Sequence, residues 1–247
     1  MTGGSRGIGK MIARGFLAQG AKVYITGRNV ETCDAAAEEL SAYGQCVSLP
    51  GDVSSPNDVD RIVATIESSE TSLEILVNNA GLAWFASIDE FPEIGWDEVM
   101  SVNVKAPFFL TQRLLPLLTP KPDLPVSKVI NIASIDGLAL YQGETYSYHA
   151  SKAALVHLTK RLSVDLATRG IGVTAIAPGA FPSDMHTAAR DDSAKIAAVI
   201  PAGRVGGADD IAAAAIYLAS RAGDYVVGTT LVVDGGLMLS RGIRLRR

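Results

Sequence analysis

Short runs of apolar, β-branched residues alternate along the chain with longer stretches whose apolar positions recur every three or four residues. The runs are KVYIT (22–26), QCVSL (45–49), EILVNN (74–79), KVINIAS (128–134), GVTAIAP (172–178) and TLVVDGG (230–236). Helical patterns lie near 7–19, 31–42, 57–69, 94–118, 148–168 and 208–220. Continuously apolar strands separated by helices predict a parallel sheet covered on both faces, an α/β doubly wound architecture. The pattern contains no repeat, low-complexity tract or dividing linker, which predicts one domain over 1–247. TPKPDLPVS (119–127), with three prolines between a helix and a strand, reads as a surface loop. Periodicity weakens over 180–207, the expected substrate lid.

Composition narrows the function classes. At 247 residues and 48% hydrophobic, the chain can bury a full core. A net charge of −4 and a pI of 5.4 argue against nucleic acid or an anionic membrane as partner. The basic tail (Arg241, Arg244, Arg246, Arg247) reads as a solvated terminus. No signal peptide and no apolar run of about 18 residues is present, so a cytoplasmic location is expected. Cys33 and Cys46 have no His or Cys at metal spacing and read as reduced thiols, with no metal site expected.

The opening MTGGSRGIGK spaces Gly3, Gly7 and Gly9 as GxxxGxG immediately before a helical pattern. Glycines there let the backbone turn sharply and approach a pyrophosphate, while the helix N-terminus supplies partial positive charge. Gly3 to Gly7 also fits GxSxG, the nucleophile elbow of hydrolases. That elbow needs an acid and a late His, and His149, His157 and His186 stand in no convincing setting. A phosphate-gripping turn normally follows a buried strand, whereas here only Met1 precedes Thr2.

TGGSRGIG, NNAG (78–81), Asn103 in SVNVKAPF, Ser134 in NIASIDG, YHASK (148–152) and PGAFPS (178–183) occur in the order seen in short-chain dehydrogenases/reductases. The resemblance extends through VVDGG and is strongest to the 3-oxoacyl-[acyl-carrier-protein] reductase branch, including reductases linked to rhamnolipid biosynthesis. It implies a Rossmann-type sheet, NADP(H) as cofactor, and a homo-oligomer, tetramer or dimer, packed through the helices at 94–118 and 148–168. Family members carry an apolar central strand before the glycine turn. Its absence would leave neighbouring strands with unpaired interior backbone groups at about 1–3 kcal/mol each. A late-assigned start or a truncated chain is the favoured explanation over a fold that does without the strand.

Tyr148 and Lys152 lie four residues apart, on one face of a helix. Carbonyl reduction requires a hydride and a proton, and tyrosine can give the proton. Its reference pKa of about 10 is about three units too high for acid/base work at neutrality, a gap worth roughly 4 kcal/mol. A lysine ammonium about 4 Å away at an effective dielectric near 20 supplies about that much. Tyr148 is thus expected to be the general acid/base, with Lys152 lowering its pKa. Of the three tyrosines Tyr141, Tyr146 and Tyr148, only Tyr148 has a lysine at i+4. Ser134 ends a strand at the carboxyl edge, where its hydroxyl can hold a substrate carbonyl. The resemblance gives Lys152 a bond to the nicotinamide ribose, and has Asn103 bend its helix and hold a water leading protons to Lys152.

For the cofactor, Ser5, Arg6 and Ile8 accompany the glycines in the turn. KVYIT ends at Thr26-Gly27-Arg28 without the carboxylate that accepts the ribose hydroxyls of NAD, and Glu31 and Asp34 fall in the next helix. Arg28 and Arg6 are expected to clamp a 2′-phosphate, favouring NADPH. By resemblance, Asp52, with Val53 beside it, contacts the adenine. Asn79, Ala80 and Gly81 approach the adenosine ribose, and Pro178, Gly179, Phe181 and Ser183 line the nicotinamide.

Leu138, Leu140, Tyr141, Phe181, Met185 and Trp84 form the expected pocket wall. Its apolar character suits the acyl chain of a thioester, or a steroid or terpenoid ketone. Acyl-carrier protein is the candidate macromolecular partner. Arg169 stands where carrier-protein reductases carry a basic residue, while Pro125 lies near where another is expected. The alternatives are a dehydrogenase/reductase of a free alcohol or ketone, and a noncatalytic NADP-binding sensor or scaffold.

Overall fold

The computed structural model describes residues 1–120, 126–140 and 143–240. Its strands are β1 (Val23–Ile25), β2 (Cys46–Ser48), β3 (Ile75–Asn78), β4 (Ser127–Ile132), β5 (Ile171–Pro178) and β6 (Thr230–Val233). All pairings are parallel, β1 with β2 and then β3-β4-β5-β6 in order. The main helices are α1 (Gly7–Ala18), α2 (Val30–Leu40), α3 (Pro56–Ser69), α4 (Glu93–Met100), α5 (Ala106–Leu118) and α6 (Tyr146–Ala167). Two short helices, α7 (Thr187–Asp191) and α8 (Ser193–Ala197), precede α9 (Ala208–Ala219). The predicted strands and helices are therefore present to within a few residues at each end. The expected surface loop at 119–127 contains 121–125, and Pro125, Tyr141 and the basic tail lie outside the described residues.

Side-chain alternation along the strands decides which face each helix covers. Leu76 and Val129 join the cluster of Val59, Ile62, Leu110, Leu114 and Leu166 beneath α3, α5 and α6. Their neighbours Val77 and Ile130 point the other way, into the cluster of Ile12, Phe16, Leu40, Ile211 and Leu218 beneath α1, α2 and α9. Local chemistry fixes the helix starts. Asn29 accepts the Thr32 N–H at 2.7 Å ahead of α2. Ser55 accepts from Asp58 ahead of α3, whose first residue is Pro56.

The two sub-sheets are bridged by the opening residues, although no regular strand forms ahead of the glycine turn among the described residues. The Met1 nitrogen donates to the Tyr24 carbonyl at 2.7 Å, and the Met1 carbonyl accepts from Thr26 N–H at 3.0 Å. Gly4 N–H then donates to Thr26 O, and on the other side Thr2 N–H donates to Val77 O, each at 3.0 Å. Met1–Gly4 thus runs between β1 and β3 and pairs with both, so the turn is aimed by the last bonds of a strand position.

The pattern at 94–118 is not one uniform helix. Between α4 and α5 the backbone opens into a π-helical turn, Ser101–Lys105, that carries Asn103. A polar ladder crosses the same face. Asn78 Nδ2 donates to Thr111 Oγ1 of α5 at 3.2 Å and to Asn131 Oδ1 of β4 at 2.9 Å, and Asn131 Nδ2 donates to Thr159 Oγ1 of α6 at 2.9 Å. All four side chains are buried, where such groups are stable only when paired.

Candidate functional site

The glycine turn has the geometry of a phosphate cradle. Gly3 and Gly7 have φ of 60° and 53°, a region that L side chains rarely adopt. A Cβ on Gly9 would collide with the Gly3 carbonyl oxygen. The first turn of α1 holds no acidic residue, and no side chain caps its N–H groups. These features fit the pyrophosphate of a dinucleotide, whose charge the helix N-terminus favours. Ser5 packs toward Gly27, its Oγ 2.8 Å from where a Cβ there would stand, and Ile8 packs on the α1–α2–α9 core.

Thr2, which the sequence analysis did not single out, ties this cradle to the end of β3. Its Oγ1 accepts from Asn79 N–H at 2.9 Å and Ala80 N–H at 3.0 Å. Asn79 Nδ2 returns bonds to Thr2 O and Gly3 O, both 3.0 Å. Asn79 therefore builds the turn. Asp52 is likewise committed locally, its Oδ1 accepting from Ser54 N–H at 2.8 Å and Ser54 Oγ at 2.6 Å, while Val53 is buried beside it. Arg28 stands exposed beyond β1 and makes no ion pair among the described residues. Arg6 departs from expectation by pairing at 2.8 Å with Asp184 in the stretch 180–207, and Asp184 also pairs with Arg190 at 2.7 Å. The only sequence hint of this latch is an acid inside the weakly periodic stretch.

The chemistry-bearing side chains converge at the carboxyl ends of β4 and β5. Ser134 follows β4 and is 7% exposed, and its hydroxyl accepts the Asp136 N–H at 3.1 Å. Tyr148 and Lys152 rise from the first turns of α6, with Lys152 Nζ 5.6 Å from the centre of the Tyr148 ring. Lys152 is 3% exposed and donates to the Ile132 carbonyl at 2.8 Å. Tyr146, the competing tyrosine, is stacked edge-on against Phe91 at 5.7 Å.

The electrostatics correct one expectation. Burial pushes the Tyr148 phenol up to about 12, against the lowering effect of the Ser134 hydrogen bond, and the Asp136 carboxylate adds to the rise. Burial also brings Lys152 down to about 8. Lys152 therefore does not bring Tyr148 toward neutrality in this structure. Desolvation of the phenol is the largest effect on it, and the Lys152 ammonium turns to a backbone carbonyl.

Asn103 is fully buried, and its side chain closes a small loop. Its Oδ1 accepts from Leu82 N–H and its Nδ2 donates to Leu82 O, each at 2.8 Å, with a further bond to Ser151 Oγ at 2.9 Å. A Cβ on Gly81 would stand 3.6 Å from both Asn103 Oδ1 and Lys152 Nζ. Ser151 is a second residue that the motif reading passed over, although it sits inside YHASK.

Pro178 ends β5, and Gly179 presses on Asp234, whose Cβ would be 2.6 Å from a Cβ added there. Ser183 touches the cradle, its Cβ 3.3 Å from a Cβ built on Gly7. Phe181 is core, 2% exposed and packed on Gly206, which corrects its assignment to the pocket wall. Trp84 packs on Gly95 of α4. Leu138, Leu140 and Met185 are exposed, as an apolar mouth requires. Arg169 bonds Thr119 beyond the far end of α6. At 1.5 Å per residue it is about 30 Å along the helix from Tyr148, so it does not line the mouth of the same site.

A family model described as enoyl-(acyl carrier protein) reductase matches residues 3–238. The chain is 43% identical over 244 residues to the rhamnolipids biosynthesis 3-oxoacyl-[acyl-carrier-protein] reductase of Pseudomonas aeruginosa, covering 97% of this chain and 95% of that protein. Among solved structures it resembles the Pseudomonas aeruginosa RhlG/NADP active-site complex, with a TM-score of 0.91 and 42% identity over 96% of this chain and 94% of that one. It also resembles a gluconate 5-dehydrogenase from Burkholderia cenocepacia in complex with NADP and tartrate, with a TM-score of 0.86 and 35% identity over 96% and 93% of the two chains.

Proposed function

This chain belongs to the short-chain dehydrogenase/reductase family of oxidoreductases, and from that premise we propose that it is an NADPH-dependent reductase of ketones, with a 3-oxoacyl thioester as substrate. The observation that carries the reading is the convergence of Ser134, just past the end of β4, with Tyr148 and Lys152 on the first turns of α6. The 3-oxoacyl choice rests on the relative from Pseudomonas aeruginosa and on the exposed apolar residues Leu138, Leu140 and Met185.

NADPH supplies the hydride. Gly3, Ser5, Gly7, Ile8 and Gly9 would hold its pyrophosphate against the N-terminus of α1, and Arg28 would pair with its 2′-phosphate. Arg6 becomes a second partner when it exchanges Asp184 for phosphate. Asp52, Val53, Asn79, Ala80 and Gly81 would border the adenosine, and Lys152, Pro178, Gly179 and Ser183 the nicotinamide side. Ser134 donates a hydrogen bond to the substrate carbonyl oxygen and orients it. Tyr148 transfers its phenolic proton to that oxygen as the C–O bond becomes that of an alcohol. The positive Lys152 nearby stabilises the phenolate left behind, which then recovers a proton from solvent. Asn103 positions Lys152 through Leu82 and Ser151.

The test is NADPH oxidation by the purified chain with acetoacetyl-coenzyme A, an acetoacetyl carrier protein and a panel of free ketones. Thioester reduction is expected, with Tyr148→Phe at least about a hundredfold slower while NADPH still titrates. Preference for free ketones would favour the alternative reading. Binding without turnover across the panel would favour a noncatalytic protein. Arg28→Ala should cut NADPH affinity at least about tenfold and leave NADH affinity nearly unchanged. An unaltered ratio would remove Arg28 from the clamp. Size-exclusion chromatography with light scattering tests the proposed dimer or tetramer.

A further inference from the structure

The helix that carries Tyr148 and Lys152 begins at Thr145, whose side chain caps none of its first N–H groups. Its opening turns are held laterally instead. One hold is the 3₁₀ turn Ile135–Gly137, pressed so close that a Cβ on Gly137 would stand 2.6 Å from the Lys152 carbonyl carbon. The other is Ser151, which is fully buried. Its Oγ accepts from Asn103 Nδ2 of the π-helical turn at 2.9 Å and donates to the Tyr148 carbonyl oxygen at 2.8 Å. In an α-helix that carbonyl otherwise takes only the N–H four residues on, which is that of Lys152. One hydroxyl thus ties the π-helical turn to the carbonyl that links the backbones of Tyr148 and Lys152. Thr159 repeats this chemistry further along α6. It is also fully buried, and its Oγ1 accepts from Asn131 Nδ2 at 2.9 Å and donates to Leu155 O at 2.8 Å. It ties α6 to β4 about 10 Å along the helix beyond Lys152, at 1.5 Å per residue.

We propose that Ser151 is a positioning residue of the reduction, which acts through the Tyr148 backbone to hold the phenol where a carbonyl oxygen can take its proton. The inference rests on the proposed reduction at Ser134 and Tyr148. Without the Ser151 hydroxyl, Asn103 keeps its bonds to Leu82, but the first turns of α6 lose their tie to it. Proton transfer requires hydrogen-bond contact, and a misplacement of about 1 Å costs on the order of a hundredfold in rate. A partial loosening of the turn costs on the order of tenfold in kcat. Binding of ketone and cofactor, which other residues make, is preserved.

The experiment measures kcat and KM for acetoacetyl-coenzyme A at saturating NADPH, at a temperature where every variant is folded. It compares the wild type with Ser151→Ala, Thr159→Val, Asn103→Ala and the double variant of Ser151→Ala with Asn103→Ala. Ser151→Ala is expected to lose kcat on the order of tenfold, with KM and the NADPH titration close to wild type. Thr159→Val, which removes the matched hydroxyl, should lower the melting temperature and keep the wild-type kcat. Adding Ser151→Ala to Asn103→Ala should cost little further, because the tie is already cut at its other end. A wild-type kcat in folded Ser151→Ala overturns the proposal. So does an equal loss in Thr159→Val, or a further loss of the same size on top of Asn103→Ala. If Ser151→Ala does not fold, Ser151→Cys, whose thiol is a weak donor, is read in its place, and a wild-type kcat there overturns the proposal equally. A wild type that reduces neither this thioester nor a free ketone removes the reductase reading of the site, and the inference with it.

Discussion

A phenol held near pKa 12 is a proton donor at every ordinary pH. At pH 7 only about one Tyr148 in 10⁵ is ionised, so the ligand-free site is set for giving a proton to a carbonyl oxygen and poorly set for removing one from an alcohol. Lys152 keeps its charge below about 8 and loses it above. Initial rates of ketone reduction at saturating NADPH should therefore hold steady from pH 6 to about 7.5 and decline through pH 8. Alcohol oxidation should climb over the same range. Reduction that rises through pH 8 would show that the lysine charge is not used. Ser134, Tyr148 and Lys152 were legible from a strand end and a four-residue spacing. The order of their pKa values was not, because it depends on how deeply the pair is buried.

At the scale of elements, the π-turn at Ser101–Lys105 and the stretch 180–207 carry the departures from pattern. Periodicity reads 94–118 as one helix because apolar positions continue across the turn, and only an Asn at its centre hints at the interruption. Asn103→Ala would leave Leu82 N–H and O without their partners and should cost about 2–4 kcal/mol in chemical denaturation. Its reduction rate should fall as Lys152 loses its support. A change under about 0.5 kcal/mol would mean that water replaces the amide. Within 180–207, Asp184 joins Arg6 and Arg190 through exposed pairs that add little to stability. Asp184→Asn should leave the melting temperature nearly constant and tighten NADPH several-fold, because Arg6 no longer has a carboxylate to give up. Weaker NADPH binding in that variant would make Asp184 a support of the cradle. The residue pair Arg6–Asp184 spans 178 positions, a separation that no local pattern reports.

For the whole molecule, burial of Lys152 links folding to proton binding. The unfolded lysine binds its proton up to about 10.5 and the folded one up to about 8, so the unfolded chain holds more protons between these values. Stability should then rise with pH across that window, by up to about 3 kcal/mol in all. Lys152→Met should flatten this rise in urea melts taken from pH 7.5 to 9.5, and equal slopes in the two proteins would contradict the burial. The layered α/β order was legible because strand and helix periods differ. The pairing of Met1–Gly4 with both β1 and β3 was not, since four residues are too few to carry a period. The polar ladder Thr111–Asn78–Asn131–Thr159 was also beyond reach, because its members lie on four separate elements. That ladder has a kinetic consequence. Lifting α5 takes from the Asn78 amide its bond to Thr111, and lifting α6 leaves Asn131 Nδ2 without its partner Thr159, so neither helix opens alone at low cost. The face should exchange its amide hydrogens as a single foldon. Since Asn103, Tyr148 and Lys152 all ride on it, the site is lost in one step or kept whole.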